Sequence, residues 1–239
     1  MILFDGVNMQ SVAGVKIEDV RVSSVQFSPL ARSRATSPGS VLVRNRAGSR
    51  TVTVTFALLV RDRPSRQAAL MALNAWAKTD ADGTGRPKEY KFEDSDHPGM
   101  YLMCACTAQP DPSLRQWWES KLRYVFTCFD NPFWTSSVEK SAACGTAFRV
   151  LGDAEPLMRI ERSLSGAASN QSYGLDGKTM TFSTIPAGDL SIDLNAQTAS
   201  VSDVSIMQYY VLGSQFLTPR TGAQTVTGTG TVKFRERWK

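Results

Sequence analysis

Thr51-Val52-Thr53-Val54-Thr55-Phe56 alternates strictly, placing Val52, Val54 and Phe56 on one face and three threonines on the other. The run then turns fully apolar from Ala57 to Val60, as expected of a strand that enters a core. The same period of two recurs further along. Leu122, Tyr124, Phe126 and Cys128 alternate with Lys121, Arg123, Val125 and Thr127, and Val232, Phe234, Glu236 and Trp238 alternate with Thr231, Lys233, Arg235 and Arg237. One segment has a different period. From about Pro64 to Lys78, Ala69, Leu70, Leu73, Trp76 and Ala77 fall on one helical face, with Pro64 near N1 and Asp80-Ala81-Asp82-Gly83 as a stop. These patterns predict an all-β protein with one helix, laid on a sheet and anchored by Trp76.

A chain of 239 residues holds one large β domain or two smaller ones. From Asp130 to Pro156 the periodicity fades and Pro132, Ser136, Ser137, Gly145, Gly152 and Pro156 collect. This predicts an N-terminal domain over 1–135, a connecting arm over 136–156 and a C-terminal domain over 157–239. The C-terminal part reads as short strands at Leu157 to Arg162, Lys178 to Phe182, Leu190 to Leu194, Ala199 to Val204 and from Thr225 onward, a spacing that suits a small β-sandwich with short loops.

The formal charge is +5, but its distribution is uneven. Between Arg21 and Arg66 stand nine arginines, no lysine and one acid, Asp62. Arginine alone favours planar, bidentate contacts to carboxylate or phosphate. Three readings fit: a solvated pair of strands and their loop, a protein interface centred on Arg32, Arg34, Arg44, Arg46 and Arg50, or contact with nucleic acid. The block lacks the interleaved aromatics of a nucleic-acid platform.

Chemistry for catalysis is sparse. The single histidine, His97, lies in Asp94-Ser95-Asp96-His97-Pro98-Gly99, a polar turn too tight to assemble a triad from its own neighbours. Four cysteines, Cys104, Cys106, Cys128 and Cys144, lack paired CxxC spacing and read as buried free thiols rather than metal ligands. Gly83-Thr84-Gly85-Arg86-Pro87-Lys88 lacks the ending of a phosphate loop. The expectation is a non-enzymatic protein with no catalytic residue, cofactor or metal. No signal peptide or apolar span is evident, which points to a reduced cytosol and no membrane.

Taken in order, several motifs resemble the distal tail protein family of siphovirus-type bacteriophages. They are Phe4-Asp5-Gly6-Val7-Asn8, Val15-Lys16-Ile17, Arg50 through Phe56, the helix with Trp76, Lys88-Glu89-Tyr90-Lys91-Phe92, Gly99-Met100-Tyr101-Leu102, and Tyr124 through Trp134. The last of these is similar to the aromatic, Cys, Asp, Pro, aromatic signature that closes the family's first domain, with Asn131 inserted between Asp130 and Pro132. Ile185 through Asp193, Leu212 through Gly222 and the terminal Arg235-Glu236-Arg237-Trp238 resemble the family's galectin-like second domain.

The resemblance implies a tail-tube-like first domain that closes into a hexameric ring, single or stacked, and a galectin-like β-sandwich that projects outward. It implies a structural hub at the virion's tail tip, assembled in the host cytoplasm. Its neighbours would be the major tail tube protein, the tail-associated fibre or lysin protein and the tape measure protein, with DNA passing through without specific binding. Short loops in the second domain argue against an inserted receptor-binding arm. The competing function is a carbohydrate-binding module using Tyr173, Tyr209, Tyr210 and Trp238 against wall glycans.

Overall fold

The computed structural model describes residues 2–8, 14–33, 40–77, 87–110 and 121–239, with backbone alone for 29–33 and 40–46. The chain divides into two compact units, Met1–Trp134 together with Lys239, and Thr135–Trp238.

The first unit contains β1 (Ile2–Phe4), β2 (Val7–Asn8), β3 (Val15–Val22), β4 (Phe27–Ser33), β5 (Ser40–Ala47), β6 (Arg50–Leu58), α1 (Arg63–Trp76), β7 (Glu89–Asp94), β8 (Met100–Ala108) and β9 (Lys121–Cys128). Seven of these strands form an antiparallel sheet in the order β3-β6-β9-β8-β7-β1-β2. β1 and β2 are joined by Asp5-Gly6, both at positive φ (50° and 75°), a two-residue turn whose twist matches the strands.

β6 alternates buried and half-buried residues along its whole length, as Thr51 through Phe56 predict, and β9 buries Leu122, Tyr124, Phe126 and Cys128. α1 covers this face with Ala69, Leu70 and Leu73, followed by Ala77. Trp76 lies 5.1 Å from the ring of Phe4, 5.4 Å from Tyr90 and 5.8 Å from Phe126, all tilted or edge-on, so it joins three strands of the core. The buried hydroxyls have partners: Tyr124 donates to Asn74 Oδ1 at 2.6 Å, and Tyr90 to the Trp76 carbonyl. Asp62 caps the helix by accepting from the Ser65 amide at 2.9 Å.

β10 (Trp134–Ser136) spans the border between the units. The second unit follows with β11 (Lys140–Ala143), β12 (Phe148–Val150), β13 (Ala154–Leu164), β14 (Ala168–Leu175), β15 (Lys178–Ile185), β16 (Gly188–Asp193), β17 (Thr198–Val201), β18 (Val204–Ser205), β19 (Gly222–Gln224) and β20 (Thr231–Trp238). One antiparallel layer runs β18-β17-β16-β13-β20-β11. Met158, Ile160, Ile192, Val232 and Phe234 from this layer share a core with Tyr173, Leu175, Met180 and Phe182 from the β14-β15 pair, which makes the unit a sandwich.

Three details differ from expectation. The stretch 136–156, expected as a connecting arm, carries β11 paired with β20 and β12 paired with β19, so it is built into the second unit. Its strands are too short for a period to register. β14 escaped because Ser169, Asn170, Gln171 and Ser172 make a polar, mostly exposed strand with no apolar alternation. The last strand starts at Thr231, not Thr225, because Gly228 and Gly230 hold φ of 123° and 128°, and a Cβ on Gly230 would meet the Glu161 carbonyl at 2.6 Å.

Candidate functional site

The arginine block sits on a ribbon that grows out of the first unit's sheet. β3 and β6 pair from Val15 opposite Leu58 to Val22 opposite Val52. Ser23 extends the ladder by donating its amide to the Thr51 carbonyl at 2.8 Å and accepting the Thr51 amide on Oγ at 2.9 Å. Gly48 then donates to the Gln26 carbonyl at 2.7 Å, and β4 and β5 continue from Phe27 opposite Ala47 to Ser33 opposite Ser40. The inner half of this ribbon lies in the sheet, beside β9. The outer half, β4 and β5, is a two-stranded sheet that pairs with no third strand among the described residues. Such a ribbon is marginal alone and presents two open edges.

Of the five arginines expected at an interface, Arg32 lies on β4 opposite Val41, Arg44 on β5 opposite Leu30, and Arg46 on β5 opposite Ser28. Arg34 lies outside the described residues. Arg50 is not on the ribbon's outer half. It begins β6 opposite Cys128 and is buried, at 4% exposure. The sequence did carry a signal for this: Arg50 stands two residues before Val52, in phase with Val54 and Phe56 on the buried face of the same strand. On β7, Glu93 is held by Lys91 at 2.6 Å, and Asp94 lies 4.0 Å from His97 Nδ1.

His97 belongs to the turn between β7 and β8, where its amide donates to the Asp94 carbonyl at 3.2 Å and its carbonyl accepts from Met100 at 3.1 Å. Its ring stacks on Trp134 with centroids 4.0 Å apart and planes 14° from parallel. Beside it lies a shallow cleft of about 250 Å³ lined by Leu3, Glu93, Asp94, Ser95, His97, Gly99 and Met100. The stack and these hydrogen bonds tie the Asp94 turn to Trp134, at the end of the first unit.

Cys104, Cys106 and Cys128 are buried in the first unit, whereas Cys144 belongs to the second. Burial pushes the Cys106 thiol up to about 11. Among the described residues no group of three or more His, Cys, Asp or Glu side chains could hold a metal ion, and no helix is long and apolar enough to cross a membrane.

In the second unit, Tyr173 is 1% exposed, which takes its ring out of an open sugar-stacking platform, and the half-buried Tyr210 stacks on Phe216 at 5.1 Å. The outer face of β13 and β20 carries an ionic chain instead. Lys233 and Arg159 both hold Glu161, at 2.6 and 2.5 Å, and Arg159 and Arg235 both reach Glu139. The hydrogen bond from Lys233, with help from Arg159, holds the Glu161 carboxyl below its ordinary value. Glu236, expected on the inward face of the last strand, is indeed buried, where it accepts from Lys140 Nζ and the Leu151 amide, each at 2.8 Å. Sequence reading missed one exposed feature. Leu212, 96% exposed, tops a turn closed by Ser214 donating to the Val211 carbonyl, with Gly213 at φ 89°; the Leu-Gly-Ser triplet was the available signal.

No protein-family model and no curated protein matches this chain. Solved structures do. The crystal structure of the Dit protein of phage SPP1, described as a paradigm of the hub adsorption apparatus in phages that infect Gram-positive bacteria, matches with a TM-score of 0.71 at 17% identity, over 100% of this chain and 98% of that one. Two structures of the phage P2 baseplate in its activated conformation, with calcium and with strontium, match at 8% identity with TM-scores of 0.46 and 0.45, over 95% of this chain and 91% of theirs. That second likeness is too low to weigh. The first covers both units from end to end, and so this chain has the fold of a phage distal tail protein.

Proposed function

We propose that this chain is the distal tail protein of a long-tailed, siphovirus-type bacteriophage, a non-catalytic hub at the tail tip. In this reading six copies of the first unit close into a ring. The ring continues the major tail tube protein on one side, holds the fibre or lysin protein on the other, and lets DNA pass without specific binding. Assembly takes place in the host cytoplasm and the finished protein resides in the virion.

The observation that carries this reading is the full-length likeness to the SPP1 Dit protein, which includes both units in the same order. The ribbon adds a physical argument. Its two open edges and its acid-free arginine strands need covering, and a head-to-tail contact that closes on itself covers them in every subunit. Arg32, Arg34, Arg44 and Arg46 then meet carboxylates of the next subunit.

Negative-stain imaging of the purified protein tests the reading. Closed six-fold rings are expected, and a double variant Arg44→Glu, Arg46→Glu should reduce ring yield roughly tenfold or more, the equivalent of about 1.4 kcal/mol. Unchanged rings in the variant would remove the arginines from the interface. Arg50→Glu is not a fair test, because it buries a new charge inside the subunit.

A further inference from the structure

β8 and β9 pair with Ala105 opposite Thr127 and Cys106 opposite Phe126. One step back along this register Cys104 faces Cys128, and both side chains point to the buried face. The pair is the middle of a four-strand row, since Cys128 also stands opposite Arg50 on β6 and Cys104 opposite Tyr90 on β7. Directly opposed residues of an antiparallel pair have Cα atoms about 4.5–5.5 Å apart, which falls inside the roughly 4.4–6.8 Å that a disulfide spans. We propose that Cys104 and Cys128 are a latent cross-strand disulfide, reduced where the chain folds and closed by oxidation outside the reducing cytosol.

The Cys104 thiol donates to the Tyr90 carbonyl at 3.7 Å. Interaction with the other thiol raises Cys104, with burial adding to it, and lowers Cys128, with the nearby Arg50 guanidinium adding to it. Cys128 is the better placed to attack first, being the last residue of β9, next to the exposed Phe129, whereas Cys104 lies inside its strand. With a small disulfide such as oxidised glutathione as the oxidant, the Cys128 thiolate attacks one sulfur and releases one glutathione thiolate. Cys104 then loses its proton and attacks the Cys128 sulfur of the mixed disulfide, releasing the second. Two protein thiols are oxidised and one glutathione disulfide is reduced to two thiols. Both cysteines are almost fully buried, so the reaction waits on fraying of the β9 end and is slow in the closed protein. The pairing rests on strand register alone, while the change of compartment rests on the tail-tip reading.

The test uses the full chain, reduced and then incubated with oxidised glutathione about 5 °C below its melting temperature, with peptide mapping under non-reducing conditions. A Cys104–Cys128 linked peptide, a loss of two hydrogens in the intact mass, and a rise in Tm of about 5 °C that reductant reverses are expected. The variant C106S/C144S, which keeps only the proposed pair, should give the same result, and C128S should give none. No internal disulfide in C106S/C144S, linkage of Cys104 or Cys128 to another cysteine in the full chain, or an oxidised form that melts no higher than the reduced one would each overturn the proposal.

Discussion

Among the described residues of the first unit one helix covers a sheet, and a basic ribbon leaves that sheet with no further strand on either edge; in the second, a sheet and a facing strand pair close on a common core, and charges on the outer face of β13 and β20 pair with one another. Both units are β-rich, yet their polar groups are spent differently. Arg159, Lys233 and Arg235 are held by Glu139 and Glu161 within the second unit. β4 and β5 carry Arg32, Arg44 and Arg46 and not one acid. Charges already held inside a unit have little left to offer a partner, and strands that bring cations with no acid of their own are where the proposed ring contact is expected.

The largest expected effects are in the two cores, and they sharpen the comparison by showing whether the units melt separately. Phe126→Ala removes a ring at the junction of Phe4, Trp76 and Tyr90 and should cost about 3–5 kcal/mol, lowering the transition of the first unit. Phe182→Ala should cost a similar amount, about 3–5 kcal/mol, in the second. Calorimetry that finds both variants lowering one common transition equally would break the picture of two units with separate stabilities. Next in size is Glu236→Ala, which strands the Leu151 amide and Lys140 and should cost the second unit about 2 kcal/mol, read from its denaturant midpoint.

The smallest effect expected is a pH dependence of the first unit at its helix start. Asp62 at the helix start is held below its ordinary carboxylate value by the hydrogen bonds from Ser65. A depressed folded pKa means the cap's stabilisation is complete above the ordinary value near 4 and fades as pH falls through the lower, folded one. Asp62→Asn should remove this component of acid sensitivity, seen as a flatter Tm profile for the first unit below about pH 4.

Much of this was legible in the chain because burial writes a period. β6, β9 and β20 were evident from alternation, and α1 from Leu70, Leu73 and Trp76 at helical spacing with Pro64 near its start, although the Asp62 cap was not read. What escaped has physical reasons. β11 and β12 span four and three residues, too few for a period to register, and β14 carries the polar Ser169, Asn170, Gln171 and Ser172. The facing of Cys104 with Cys128 depends on register, and register is a relation between strands that no single strand reveals; the burial of Arg50, by contrast, follows from its phase with Val52, Val54 and Phe56 on β6.

The central claim is that the first unit is completed by copies of itself. Native mass spectrometry of the purified chain, over a range of concentrations and with and without the tail tube protein, tests it most directly. The account predicts a hexamer, or a stacked pair of hexamers, that the Arg44→Glu, Arg46→Glu variant fails to form while staying folded. A chain that remains monomeric at every concentration, with the tube protein present, would contradict it.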